Sequence, residues 1–367
     1  MKLSQYLTAS AFLLTLPFFG CGGSVVTTKT PTIYMAGYQR NTSSVISAYT
    51  WTTPTSSSTS TPSSGTATSL TAPSGTTNPW ANSIAVSGSD VYVAGYAVDS
   101  NNYSEAVLWT NGTPSILTLP SGATSSNAMS VAVSGSNVYV AGYASLSGNG
   151  EAVLWTNGTP SVLTVPSGTT SSEALSMAVS GSNVYVAGYG LVSGTWNAFL
   201  WTNGTPSTLT LPSGATRALA YAVAVSGSNI YVAGSALVSS VNEFVLWTNG
   251  TPSVLTLPSG TTTALITSVA ASGSNVYVTG YVIDANSVRD AVLWTNGTPA
   301  ILPLPSTGGG MPTPTSIAVN GSDVYVSGDF NDTTKGQYVA CYWKNGGTPV
   351  EVSDGTEVAV ANAIAVQ

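Results

Sequence analysis

Glu105–Gly122 reads EAVLWTNGTPSILTLPSG, and Glu151–Gly168 reads EAVLWTNGTPSVLTVPSG. In each copy two apolar runs flank Asn-Gly. That pair is the strongest short hairpin signal, because a type I′ turn needs positive φ at both central residues. A chain that writes one hairpin again and again is assembling a repeat architecture, so the period is read before any domain is counted.

Outward from this stretch, its tryptophan recurs at Trp109, Trp155, Trp201, Trp247 and Trp294, at intervals of 46 or 47 residues. Trp343, in CYWKNGGTP, continues the series, and Trp51, in SAYTWTTP, is a diverged first member. A second motif, YVAGY and its variants, begins at Tyr34, Tyr92, Tyr139, Tyr185, Tyr231, Tyr277 and Tyr325. A third, SIAVSG-like, contains Ala85, Ala132, Ala178, Ala224, Ala270, Ala318 and Ala365. Each motif occurs seven times. One unit reads as four short strands: SIAVSG, then VYVAGY after a Gly-Ser-Asp or Gly-Ser-Asn turn, then EAVLW, then PSILTLP after Thr-Asn-Gly-Thr. Four antiparallel strands in a 40–50-residue unit describe a propeller blade. The β-branched composition and the closely spaced turn residues exclude helical repeats.

The ends test this reading. The repeats open on the second strand of a blade, TPTIYMAGY, and close on ANAIAVQ, a first strand with nothing after it. Joined, they complete one blade. The expected fold is therefore all-β: a seven-bladed propeller over residues 32–367, four antiparallel strands per blade, with the first blade completed by the C-terminal strand. Alanine in every first strand is flanked by Ile84, Val131, Met177, Val223, Val269, Ile317 and Ile364, so one blade face is small and the other large near the axis. The repeated Trp and Tyr read as core.

The chain resembles secreted bacterial repeat propellers, including the HAF-type extracellular repeats with an AFLW-x-x-G core. Here that core is Ala198-Phe199-Leu200-Trp201-Thr202-Asn203-Gly204. Those repeats often carry His before the Ala-Phe pair, where this chain has Asn197. WD40 repeats match less well, since both the Gly-His and Trp-Asp signatures are missing. The resemblance implies a fold and an extracellular or envelope location rather than a defined activity.

Composition narrows the function. Charged residues make up 6%, against about 25% in ordinary soluble chains, so Ser, Thr, Asn and Gly supply the polar surface. A net charge of −7 with no basic cluster argues against nucleic acid as a partner. The sequence has no histidine, which excludes His-based triads, His metal sites and His acid–base catalysis. Residues 1–20 read as a lipoprotein signal peptide: Lys2, the apolar run AFLLTLPFF, then Gly20 and Cys21. The FFGC ending resembles a lipobox, with Phe18 in place of the usual Leu. Cys21 is then the lipidated residue, 21–31 a tether, and the protein a lipid-anchored monomer of the bacterial envelope, at the outer membrane or cell surface. The tether, roughly 17–20 Å long as coil, enters at a second strand, which begins on the conserved-turn face. That face is expected to point toward the membrane. Cys341, the other cysteine, has no intrachain partner, and no disulfide framework is expected.

Loops sort by face. The SGSN and TNGTP turns barely vary, whereas the 2–3 and 4–1 connections diverge: VDSNNYSE, LVSGTWN and IDANSVRD in one set, TNPWAN and TRALAY in the other. Loops on a rigid scaffold are the usual place for recognition. Candidate ligand-binding residues there are Trp80, Asp99, Tyr103, Trp196, Arg217, Tyr221, Asp284 and Arg289, since aromatic rings beside short polar chains suit glycan or protein surfaces. Asp284, Asn286 and Asp290 look like part of a calcium loop but lack the EF-hand spacing; no metal or cofactor is expected. Glu105, Glu151, Glu243 and Asp290, with Asn197, hold one position in successive blades. They should stand roughly 15 Å apart, whereas glycosidase pairs need about 5–9.5 Å. They read as a solvated rim, or a weakly cation-attracting one. The stretch TTPTSSSTSTPSSGTATS after Trp51 reads as a flexible spacer. The expected function is non-enzymatic binding of protein or glycan through the variable face. The alternatives are a hydrolase or lyase acting on extracellular polymer, for which Arg217, Tyr221 and Glu173 would meet in one pocket, and a passive envelope scaffold.

Overall fold

Seven four-stranded antiparallel sheets make up the protein in the computed structural model, which describes residues 31–54, 65–306 and 308–367. No helix occurs among the described residues. The expected signal peptide, Cys21, most of the tether and the middle of the Ser/Thr stretch lie outside them. Blade two shows the plan: inner strand Thr77–Ser87, second strand Asp90–Val98, third strand Ser104–Thr110 and outer strand Thr113–Ile116. In blade one the inner strand is Val358–Val366. It pairs antiparallel with Thr32–Arg40, which continues to Ile46–Pro54 and Thr66–Leu70. The two ends of the chain therefore close the ring, as the unpaired terminal motifs require.

The Asn-Gly turns have the conformation their sequence demands. Asn111 and Gly112 sit at φ 50° and 82°, and the Asn111 carboxamide accepts a hydrogen bond from the Val91 amide at 2.9 Å. Between successive blades lie seven apolar clusters, each built from the inner three strands of one blade and the facing surface of the next. All seven repeat tryptophans are fully buried there. In six blades the indole N–H donates to a carbonyl at the outer edge of the preceding blade, as from Trp155 to Thr118 at 2.8 Å and from Trp201 to Thr164 at 2.7 Å. At the closing seam the Trp51 indole nitrogen is buried and has no partner among the described residues.

Three expectations about the strands change. The outer strand stops at Ile116 rather than running through LTLP. Leu117 turns inward instead, buried against Trp155 of the next blade, and its amide donates to Ala106 O at 2.8 Å. The Thr118 carbonyl is thereby free to receive the Trp155 indole. Part of the Ser/Thr stretch is strand, since Thr66–Leu70 is the outer strand of blade one. The inner strands are longer than SIAVSG, so most of each supposed 4–1 loop is β-structure. A bulge hides this: in blade two the register slips between Ala81 and Ser83, and one extra residue reverses the in–out alternation beyond it. Opposite every bulge stands the glycine of the YVAGY motif. A Cβ on Gly95 would lie 1.8 Å from Trp80 O, and on Gly142 1.9 Å from Asn127 O. Only glycine allows this approach.

Candidate functional site

The bulges deliver one side chain per blade toward the axis. Asn82, Met129, Leu175, Tyr221, Thr267, Thr315 and Asn362 line a central cavity of about 160 Å³ to which all seven blades contribute. Hydrogen bonds tie this ring across blades: Asn82 Nδ2 donates to Ala128 O at 2.9 Å, and Asn362 Nδ2 to Ala81 O at 2.8 Å. Four residues earlier on each inner strand than the conserved alanine flank, the residue before the bulge pair lies opposite the last position of YVAGY. The resulting cross-strand pairs are Trp80 with Tyr96, Asn127 with Tyr143, Glu173 with Tyr189, Leu219 with Ser235, Leu265 with Tyr281, Thr313 with Asp329 and Val360 with Tyr38. The position is tyrosine in five blades, serine in blade five and aspartate in blade seven.

That aspartate sits in an opening on the variable-loop side. A cavity of about 380 Å³ lies where blades seven, one and two meet, walled by Tyr38, Arg40, Trp80, Thr313, Thr315, Asp329, Tyr338, Val358, Val360 and Asn362. The Tyr38 and Trp80 rings stack at 4.0 Å between centroids, and Tyr96 continues the stack at 6.3 Å from Trp80. Asp329 is 5% exposed. Among the described residues no side chain or amide donates a hydrogen bond to its carboxyl. Burial raises its pKa to about 7, against a smaller lowering by Arg289. Arg289 reaches in from blade six, donating from Nη1 to Thr313 Oγ1 at 3.0 Å while its guanidinium lies 4.4 Å above the Tyr281 ring. Its Nε is buried and has no partner among the described residues. Burial, and then proximity to Asp329, push the Tyr38 hydroxyl above its ordinary pKa, with Arg40 opposing. Arg40 is exposed and forms no ion pair among the described residues. It also borders a second cavity of about 270 Å³ with Asn41, Thr42, Ser44, Gln337, Thr356, Glu357 and Val358. The two cavities share Arg40 and Val358 as walls.

The eight candidate residues do not form one site. Trp80 lines the main cavity, and Arg289 supports its wall. Arg217 and Tyr221 share a separate cavity of about 70 Å³ with Leu219, Ser235 and Asn242, where Tyr221 and Ser235 exchange a hydroxyl hydrogen bond at 2.9 Å. Glu173 is not one of its walls; it accepts from the Tyr189 hydroxyl at 2.7 Å, which with burial raises the Tyr189 pKa. Trp196 packs edge-on to Tyr189 at 5.3 Å. Trp80, Trp196, Arg217 and Tyr221 all belong to strands rather than loops. Asp99 and Asp284 organise their own turns. Each accepts from backbone amides two and four residues on, at 2.8 Å, which holds both carboxyls below the ordinary aspartate pKa. Tyr103, beside Asp99, is half exposed. Glu105, Glu151 and Glu243 are half-buried and lie opposite Ala97, Ala144 and Ala236 on the second strands of their own blades. Burial raises the pKa of Glu151.

Sequence reasoning missed Asp329, Arg40, Tyr38, Tyr338 and Asn362. A signal for Asp329 was present: SGDF in blade seven breaks the AGY that five copies keep or vary only before the glycine.

No protein-family model matches the sequence, and comparison with curated proteins finds no match. Solved structures do match in fold. The β-propeller domain of the Trilobed protease from Pyrococcus furiosus aligns with a TM-score of 0.51 at 10% identity, covering 88% of this chain and 92% of that one. That propeller has an open velcro topology, whereas here the C-terminal strand pairs with the first. Pyrococcus horikoshii acylaminoacyl peptidase aligns at a TM-score of 0.48 and 11% identity over 89% of this chain, which spans about half (51%) of the peptidase. YjhT aligns at 0.42 and 12% identity, over 74% of this chain and 94% of its own. At these identities the likeness is one of fold alone.

Proposed function

We propose that this propeller is a non-enzymatic binding protein of the bacterial envelope, tethered through Cys21, that recognises glycan at the cavity between blades seven, one and two. The observation that carries this reading is the Tyr38–Trp80 stack forming one wall of an open cavity whose other walls offer an unpartnered carboxyl, a guanidinium, a carboxamide and hydroxyls. Sugars present an apolar ring face and a polar edge, and such a pairing of surfaces suits both. Screening the purified protein against immobilised glycans, beside Trp80→Ala, tests it. Glycan binding that disappears in a folded Trp80→Ala protein supports the reading; binding unaffected by that change, or no glycan bound, overturns it.

A hydrolytic reading has one observation in its favour, the Asp329 carboxyl with a pKa of about 7, suited to a general acid. Asp329 is the only carboxyl lining that cavity among the described residues, and glycoside hydrolysis ordinarily needs two. Release of reducing ends from a bound glycan, abolished by Asp329→Asn, would favour it over simple binding.

A further inference from the structure

Positive charge is scarce in this protein and unevenly placed. Among the described residues there are two lysines and three arginines. Both lysines are neutralised: Lys335 pairs with Asp332 and Glu351, and Lys344 with Asp323 at 2.8 Å. None of the three arginines forms an ion pair. Arg40 and Arg217 line cavities on the variable-loop side, and Arg289 lies behind the wall of the one that Arg40 borders with Asp329. In a chain of net charge −7, unpaired guanidinium groups gathered at cavities mark where negative charge is wanted from outside. A guanidinium meets a carboxylate through two parallel N–H···O bonds, which makes arginine the fitting residue for that group.

Resting on the glycan reading above, we propose that the ligand is an acidic sugar, a hexuronate whose carboxylate is held by Arg40 at the mouth of the cavity while its ring lies on the Tyr38–Trp80 shelf. Asp329 contributes as the protonated acid. A neutral carboxyl donates its O–H to the sugar, whereas the ionised form repels the sugar carboxylate across a poorly solvated space. The titratable and charged groups around Asp329 agree with this role. Arg289 approaches from blade six, and Tyr38 and Arg40 from blade one. Tyr338 lies on the adjacent third strand, with Cys341 buried beneath. None of them donates a hydrogen bond to the carboxyl. Glu357, in the adjoining cavity, forms no ion pair with Arg40, so the guanidinium stays available.

The test is titration calorimetry of the purified protein with a panel of hexuronate oligomers and their methyl esters, at pH 6 and pH 8. The acids are expected to bind at least tenfold more tightly than their esters, and Arg40→Gln to remove about tenfold or more of that preference. Arg40 is exposed, so this variant keeps the fold. Affinity for the acids should rise up to about tenfold from pH 8 to pH 6, as the carboxyl near pH 7 takes up its proton, and Asp329→Asn should flatten that dependence. Esters bound as well as acids, with Arg40→Gln silent, would overturn the acidic-sugar assignment and leave glycan recognition standing. Failure of acids and esters alike would overturn both.

Discussion

Replacing Asp329 by asparagine should stabilise the protein at alkaline pH and leave it unchanged in acid. The carboxyl is 5% exposed, lacks a hydrogen-bond donor among the described residues, and has its pKa raised from an ordinary 3.8 to about 7 by burial. Between those values the folded protein binds one more proton than the unfolded chain, so stability falls as pH rises through the window. About three pH units at 1.36 kcal/mol each make the loss at pH 8 about 4 kcal/mol. Asparagine keeps the shape of the neutral acid and carries no charge, so it should recover most of that. Unfolding entropy scales at about 2.1 cal/mol/K per residue, so a propeller of this size should gain roughly 6 °C in Tm at pH 8 and almost nothing at pH 4. The protein is well suited to the assay because it has no histidine, leaving few other groups to titrate between pH 5 and 8. Thermal unfolding by circular dichroism at one-unit pH steps, wild type against variant, measures the effect. Parallel curves would mean instead that the folded carboxyl is already ionised at neutral pH, with Arg289 compensating its burial.

Other outcomes follow from the blade contacts. Trp201→Phe should cost about 1–3 kcal/mol more than Trp51→Phe, because only Trp201 donates to a carbonyl of the preceding blade; urea unfolding compares the two. Gly142→Ala should destabilise severely, since its Cβ would stand 1.9 Å from the Asn127 carbonyl oxygen and the inner strand cannot yield without losing its bulge; loss of the cooperative unfolding transition would show it. Cys341 is fully buried and its thiol pKa is raised well above the ordinary value by that burial. It should therefore resist a disulfide reagent until the protein unfolds, with labelling read by absorbance during denaturant titration.

Much of the fold was legible because each blade repeats its instructions. Asn-Gly sets the hairpin, Trp sets the inter-blade core, and the unmatched motifs at the two ends specify closure. The inner strands were misread as loops for a physical reason. The bulge at Asn82 and its equivalents slips the two-residue alternation by one, so TNPWAN no longer scans as strand although it is paired. The site suffered from the same slip. It was sought in the variable loops, yet Asp99 and Asp284 spend their carboxyls on their own turns. The cavity is walled instead by strand residues that the bulges and the ring closure bring together. Arg40 and Asn362 lie at opposite ends of the chain and meet only because Val358–Val366 completes blade one. Asp329 was readable as a departure from the repeat, an acid at a position that is tyrosine in five blades. Only the burial seen in the fold gives that departure chemical meaning.

The most direct test of the central claim is a crystal structure of the protein with a bound hexuronate oligomer. The expected result is a sugar ring on the Tyr38–Trp80 stack, with its carboxylate against Arg40 and the sugar within hydrogen-bond distance of Asp329. An oligomer seated instead on the Tyr103 or Trp196 side of the face, with the cavity between blades seven, one and two left empty, would contradict it.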